Sequence, residues 1–493
     1  MIFEKNSENV FELPMFIGGE KRFNCENKCI EVMNPANQSV IGKVAFSGEN
    51  DLQDAVDAAD VAFADWSRQS PVRRAQILHD AGLLVLERAD EIAEIMTLEE
   101  GKPFEEAKGE VLKGAEILQF YAEEAKRLHG ETIPGFDSTT TSYTVYEPVG
   151  VSVAITPWNY PVELVAWKIG GAVGAGCTLV IKPPSETPMS PAAFAQCVID
   201  AGAPAGVVNV VYGRGSVTGP LLIENPKVKK VAFTGSTGAG KQVAALCASH
   251  MKKASLELGG QCPMIVTKKA NLDAAVKAAT RRSFRNNGQI CIAINRIYVE
   301  RPIYDEFIEK FADSTSRLVL DDGIENPKAD MGPMASKAGL DKTIEHVEDA
   351  VKKGARLVYG GEKPAGEKYE AGFFYKPTIL ADANHEMLIM TEETFGPAVG
   401  VMPFDTIEEV IELANDTNYG LATYVYTEDL NEADRFTSQL DSGNVAVNNP
   451  DAGVINAPYG GFKESGIGYE HGKAGMMEYV KTKHIRIKYT WRA

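Results

Sequence analysis

Two positions combine reactive residue types with surroundings that could put them to use. Cys291 closes the run Phe284-Arg285-Asn286-Asn287-Gly288-Gln289-Ile290-Cys291, a glycine-containing turn after a helical stretch. Such a turn lets backbone approach closely and leaves the cysteine N–H free to donate. A nucleophilic thiol needs that exposure and a nearby donor. Glu257 lies in ASLEL, directly before Leu258 and the pair Gly259-Gly260. A carboxylate at a strand end beside two glycines faces a cleft and can take a proton from water. The competing readings are a packed core thiol for Cys291 and a surface ion pair for Glu257.

A third motif, Gly235-Ser-Thr-Gly-Ala-Gly240-Lys241, nearly satisfies the phosphate-binding loop of NTPases. It follows a strand and opens a helix. Gln242, however, stands where a Ser or Thr hydroxyl must ligate magnesium, and no strand ending in a metal-binding Asp follows. A dinucleotide site, with a helix N-terminus facing a pyrophosphate, fits better than a P-loop NTPase. Gly213-Arg-Gly215, after VVNVVY, is a weaker glycine turn that could serve the same groove or merely connect strand to helix.

These residues need a scaffold, and the sequence supplies an α/β one. VGVSVAIT, CTLVIK, VVNVVY, KKVAFT and ASLEL read as strands, with helices between them at Pro161 onward and Pro191–Ala201. That alternation predicts a parallel sheet of roughly five strands covered on both faces. Ligands bind beyond the carboxyl ends of such strands, which puts Pro157-Trp158-Asn159, Lys182 and Gly235-Ser236 on one rim. A second α/β unit contains strands at 264–266, 297–299 and 398–404, with helices from about Asn271 and after Pro302. Upstream, Asn50 is the expected cap of a helix through Trp66. Ser70-Pro71 announces another that runs to about Glu100 and is ended by Gly101 and Pro103. Residues 482–489 alternate as a final strand, an open edge for which 139–148 or a second subunit is the natural companion.

At 493 residues the chain exceeds one hydrophobic core, so two or three domains are expected. A net charge of −18 with only scattered Lys/Arg pairs excludes a nucleic-acid binder. No apolar run is long enough for a membrane helix. The acidic, polar N-terminus does not read as a secretory signal, so a cytoplasmic protein is expected. Seven scattered cysteines fit reduced thiols. Cys25 and Cys29 are four apart without a second Cys/His pair nearby, so no metal site is expected.

TPWNYP (156–161), KPPS (182–185), FTGST (233–237), LELGG (256–260), NNGQIC (286–291), EETFGP (392–397) and PYGGFKESG (458–466) occur in the order and spacing of the aldehyde dehydrogenase superfamily. The chain resembles that superfamily from about Phe16 to Tyr489. The resemblance implies that Cys291 is the nucleophile and Glu257 the general base. It gives Asn159, with the Cys291 N–H, the task of stabilising the oxyanion. Lys182 matches the lysine that binds the adenosine ribose, Glu393 the glutamate on the nicotinamide ribose, and Phe395 an aromatic near the nicotinamide. Thr156, Trp158, Gly213, Gly235 and Ser236 fall along the cofactor groove. Lys168 and Glu470 match a pair that relays protons from the base in some members.

The fold so implied is a Rossmann-type cofactor domain (1–128 and 148–258), an α/β catalytic domain (259–456), and a small β oligomerisation element (129–147) with the C-terminal tail (457–493). A homodimer or homotetramer is expected. A base at Glu257 argues against relatives that pass the acyl group to coenzyme A. Ser185 stands where many NAD-preferring members have Glu, so NAD(P) is expected with a lean to NADP. Tyr469 replaces a frequent Arg. Succinate-semialdehyde members hold the substrate carboxylate with two arginines. Arg285 keeps one, while Trp167 occupies the other position, as in betaine-aldehyde members, and the loop before Pro458 is short. The expected substrate is a small anionic aldehyde such as succinate semialdehyde, the alternative being a neutral or betaine-type aldehyde.

Overall fold

A computed structural model describes residues 3–23 and 29–492. Five parallel strands form the heart of its eight-stranded sheet, in the order Lys253–Glu257, Val228–Thr234, Val151–Ile155, Thr178–Lys182, Val208–Val210. Every residue of Val151–Ile155 and Thr178–Lys182 is buried, because helices cover both faces. That is why the strands read as unbroken apolar runs rather than alternating ones. Antiparallel strands extend both ends: Gly466–Ile467 beside Lys253–Glu257, and Met15–Ile17 with Glu20–Arg22 beyond Val208–Val210. The parallel strands end together, so Thr156, Lys182, Gly213, Gly235 and Glu257 share one rim, as expected.

The second sheet has seven strands, with Ile294–Glu300 and Cys262–Val266 at its centre and Ala398–Phe404 alongside. Asn271 caps the helix Leu272–Phe284 by accepting from the Ala274 N–H at 3.1 Å. This helix delivers the chain to Cys291. The final strand Val480–Lys488 does pair with Thr140–Pro148, antiparallel and with His484 opposite Thr144. The tail before it stays with the first sheet: Gly466 and Ile467 pair with Glu257 and Leu256.

Two expectations about the N-terminal helices change. The cap of helix Glu49–Trp66 is Gly48, whose N–H is held by the Asp51 carboxylate at 2.9 Å, and Asn50 lies inside the first turn. The span opened by Ser70 is two helices, Pro71–Glu87 and Ala89–Glu100, broken at Arg88 where φ is −100° and ψ 12°. Gly101 ends the second in the left-handed region. The long helix Phe104–Ala125 had no counterpart in the sequence reading. Five cysteines are free thiols, but Cys29 is disulfide-bonded, contrary to an all-thiol expectation; Cys25 lies outside the described residues. Among the described residues no helix is long and apolar enough to cross a membrane.

Candidate active site

Cys291 reaches the boundary between the two sheets through a compact turn. After Phe284 the helix breaks, and Asn286, Asn287 and Gly288 all take positive φ (46°, 56° and 68°). Asparagine tolerates this region because its side chain can bond locally or across to nearby backbone. Here Asn287 donates to the carbonyls of Gly332 and Pro333 at 2.9 and 2.8 Å, and Asn286 to the carbonyl of Asn159 at 3.0 Å. Only glycine fits at 288, since a Cβ there would lie 2.4 Å from the Gly396 carbonyl oxygen. Gly260 is required too: its Cβ would meet the Cys291 carbonyl oxygen at 2.3 Å. Gly260 thus lets the nucleophile loop close onto the segment that follows Glu257, while a Cβ on Gly259 would lie 2.7 Å from the Glu393 carboxylate.

Cys291, Glu257, Asn159, Glu470, Trp167 and Arg285 line one cleft of about 520 Å³. The Cys291 Sγ lies 3.6 Å from the Tyr459 hydroxyl. Burial pushes this thiol up to about 12, the Tyr459 contact opposes that, and the Glu257 charge adds to it. Glu257 is 4% exposed, and among the described residues neither carboxyl oxygen has a partner. Burial raises its pKa well above the usual range, Glu470 raises it further, and Lys168 lowers it. Lys168 Nζ donates to Glu470 and to the Thr234 hydroxyl, each at 2.7 Å. The two residues that sequence reasoning paired are therefore in contact beside Glu257.

Asn159 is anchored from several sides. Its side-chain amide donates to the Gln289 carbonyl at 2.9 Å, which leaves its second N–H for another acceptor. Its own carbonyl accepts from Asn286 and from the buried Lys102 at 2.8 Å. Lys102 also pairs with Glu110, whose carboxylate takes the N–H groups of Val162 and Glu163 at 2.9 and 3.0 Å. None of these supports was anticipated. Glu106 and Glu110 are four apart on the helix Phe104–Ala125, the one sequence signal that could have placed them on a single helical face, while Lys102 precedes that helix.

Arg285 reaches the cleft under restraint. Its Nε donates to Glu106 at 2.9 Å, and Glu106 also accepts from the Tyr160 hydroxyl and the Asn286 N–H. The helix before Arg285, Leu272–Phe284, adds Arg281 and Arg282, both paired with Asp451. Trp167 stacks on His471 at 3.7 Å between ring centroids, and His471 stacks on Tyr459 at 4.6 Å.

The rim of the first sheet carries the remaining residues. Lys182 is buried, which lowers its pKa, while Glu186 acts against that. The Ser185 hydroxyl faces the Gly213 carbonyl at 3.5 Å. Ser236 caps the helix Thr237–Ser249, next to Gly235. Glu393 accepts from the Gly260 N–H at 2.8 Å, and burial raises it to about 7. Trp158 and Phe395 meet edge to face at 5.5 Å. The Thr156 hydroxyl is buried without a partner among the described residues. A groove with an orphaned hydroxyl, a desolvated lysine, a carboxylate and a capped helix start fits a dinucleotide. Lys241 instead pairs at 2.8 Å with Glu464 and is largely exposed, unlike a P-loop lysine wrapped in phosphate.

The sequence pattern of the Aldehyde dehydrogenase family matches residues 23–485. The chain belongs to the aldehyde dehydrogenase family. This aldehyde dehydrogenase is 42% identical over 485 residues to a succinate-semialdehyde dehydrogenase [NADP(+)] of Escherichia coli strain K12, covering 98% of this chain and 99% of that protein. It is 42% identical over 459 residues to a glutarate-semialdehyde dehydrogenase of Pseudomonas aeruginosa, covering 92% and 93%. A crystal structure of an aldehyde dehydrogenase from Brucella melitensis biovar abortus superposes with a TM-score of 0.94 at 41% identity, covering 99% of both chains. The fold is thus that of the family, with a Rossmann-type unit and an α/β catalytic unit.

Proposed function

We propose that this enzyme oxidises a small anionic aldehyde of the succinate-semialdehyde class to its acid, with NAD(P) as oxidant. The observation that carries the reading is the convergence of Cys291, Glu257, Asn159 and Arg285 on one cleft. In the reaction, the Cys291 thiol loses its proton to water in the cleft and its sulfur bonds to the aldehyde carbon. The carbonyl oxygen becomes an alkoxide held by the free Asn159 N–H and the Cys291 N–H. A nicotinamide held in the groove would supply the acceptor for the hydride that leaves the same carbon. A thioester on Cys291 remains. Glu257 takes a proton from water, the hydroxide adds to the thioester carbon, and the C–S bond breaks to release the acid and the thiolate. Lys168 and Glu470 accept the charge change that follows at Glu257.

Lys182, Ser185, Ser236 and Glu393 are the residues that would hold the cofactor. Ser185 carries no charge to repel a 2′-phosphate, and Lys182 on the same rim supplies a positive charge that would attract one, so NADP is accepted. The relatives named for semialdehydes of dicarboxylic acids support an anionic substrate. A betaine-type substrate is disfavoured because His471 covers one face of both Trp167 and Tyr459, where a quaternary ammonium would sit. The exposed edge of Val480–Lys488 suits pairing with a second copy, as expected for a cytoplasmic homodimer or homotetramer. Reduced-cofactor absorbance with succinate semialdehyde, glutarate semialdehyde, propanal and betaine aldehyde, each with NAD and NADP, tests this reading. A clear preference for the acid aldehydes supports it, and a preference for betaine aldehyde overturns it.

A further inference from the structure

His471 is the strangest residue in the cleft. Its backbone sits at φ 57° and ψ 166°, a region essentially reserved for glycine. Strain of this kind persists where the surroundings over-determine it, and such residues cluster at ligand sites. Here the ring is clamped between Trp167 and Tyr459, each with an interplanar angle of 17°. Tyr459 also touches the Cys291 sulfur, so the three-ring stack starts at the reacting atom and forms one wall of the cleft.

The chemistry of the imidazole is fixed by its neighbours. Nδ1 lies 3.2 Å from the Val454 carbonyl oxygen. A carbonyl can only accept, so Nδ1 carries the hydrogen. Burial pulls the ring's pKa down to about 3, and the Lys168 charge acts in the same direction. The ring is therefore neutral at any working pH, and Nε2 is a bare lone pair. Among the described residues no donor meets Nε2. His471 is 8% exposed, and what exposure it has is to the cleft. Nε2 is not one of the sealed polar atoms but opens onto the cleft, where its lone pair can accept from a donor on whatever fills the site.

We infer that His471 is a specificity-determining residue whose Nε2 accepts a hydrogen bond from a hydroxyl on the substrate chain. The preferred substrate is then an anionic aldehyde that also carries a hydroxyl group. This rests on the anionic-aldehyde reading above and narrows it. An acceptor repels a carboxylate, so His471 cannot anchor the anionic end, which falls to the arginines across the cleft. A site built to bond a hydroxyl discriminates against the analogue that lacks one.

The test compares kcat/KM for succinate semialdehyde with that for 2-hydroxy- and 3-hydroxy-4-oxobutanoate, in the parent enzyme and in His471→Phe. Phenylalanine keeps a flat ring in the stack and deletes the acceptor. The parent is expected to favour at least one hydroxylated acid by about tenfold, and His471→Phe to bring that ratio to within about twofold of one. His471→Gly, which suits the backbone angles, is the second variant should the phenylalanine not fold, and it is expected to lose the ratio equally. Equal efficiency on all three acids in the parent, or a ratio that survives both substitutions, overturns the inference and leaves the anionic-aldehyde reading standing. Turnover of propanal with none of the three acids overturns both.

Discussion

Lys168 and Glu470 form an ion pair of 2.7 Å directly beside Glu257, with the lysine side chain wholly sealed from solvent. Glu470 raises the proton affinity of Glu257 and Lys168 lowers it. A base must be deprotonated to act, so the pair sets the pH at which deacylation becomes possible. Lys168→Met removes the lowering charge and leaves Glu470 uncompensated. The midpoint of the kcat–pH profile is expected to move to higher pH, with kcat at neutral pH down about tenfold and recovering in alkali. Loss of one partner of a buried pair also costs stability, about 3–5 kcal/mol, which thermal unfolding reads separately. An unmoved midpoint in folded enzyme would detach the pair from the base.

Arg285 is oriented by Glu106, which leaves its terminal N–H groups for the substrate. Arg285→Ala is expected to lower kcat/KM for succinate semialdehyde by about ten- to a hundredfold, the equivalent of a charge-assisted hydrogen bond, and to change propanal little. Glu106→Gln should behave differently. Glu106 also holds the Asn286 N–H and the Tyr160 hydroxyl, so the nucleophile loop loosens and both aldehydes suffer. Equal losses on both aldehydes for Arg285→Ala would make that arginine a support of the loop only.

The proposed determinant of cofactor choice is Ser185. A glutamate there would bond a ribose 2′-hydroxyl and repel a 2′-phosphate. Ser185→Glu is expected to shift the NADP/NAD ratio of kcat/KM toward NAD by at least about tenfold. A ratio that stays put would assign the preference to Lys182 and Glu186 instead.

Much of this site was legible in the sequence because its chemistry is carried by short, contiguous signals. The NNGQIC turn needs left-handed residues and has two asparagines and a glycine to supply them. The β-branched runs ending at Ile155, Lys182, Thr234 and Glu257 place four site segments on one rim. What was hidden is long-range. Lys102 reaches Asn159 across 57 positions and Glu106 reaches Arg285 across 179, and no local pattern announces either contact. The break at Arg88 escaped because the apolar spacing continues through it. His471 escaped because nothing in its neighbours tells that the ring stacks on Trp167, and its backbone angles contradict its residue type.

The Cys291 thiol should respond to its neighbour. Burial dominates its raised pKa, and the Glu257 charge adds to it. Glu257→Gln deletes that charge, so the pH dependence of iodoacetamide inactivation is expected to shift to lower pH, while staying above that of an ordinary cysteine because burial persists. A shift in the opposite direction would mean that Glu257 assists the thiolate rather than opposing it.

The central claim is that Cys291 carries the acyl group and Glu257 prepares the water that removes it. Rapid mixing of Glu257→Gln with succinate semialdehyde and saturating cofactor tests both halves at once. Acylation needs no water, so the variant should release about one equivalent of reduced cofactor per active site in a fast phase and then stall. The trapped enzyme should carry the acyl mass on the peptide containing Cys291, and Cys291→Ala should give neither phase. Steady turnover by Glu257→Gln at the parental rate, or an acyl group found on any other residue, would contradict the account.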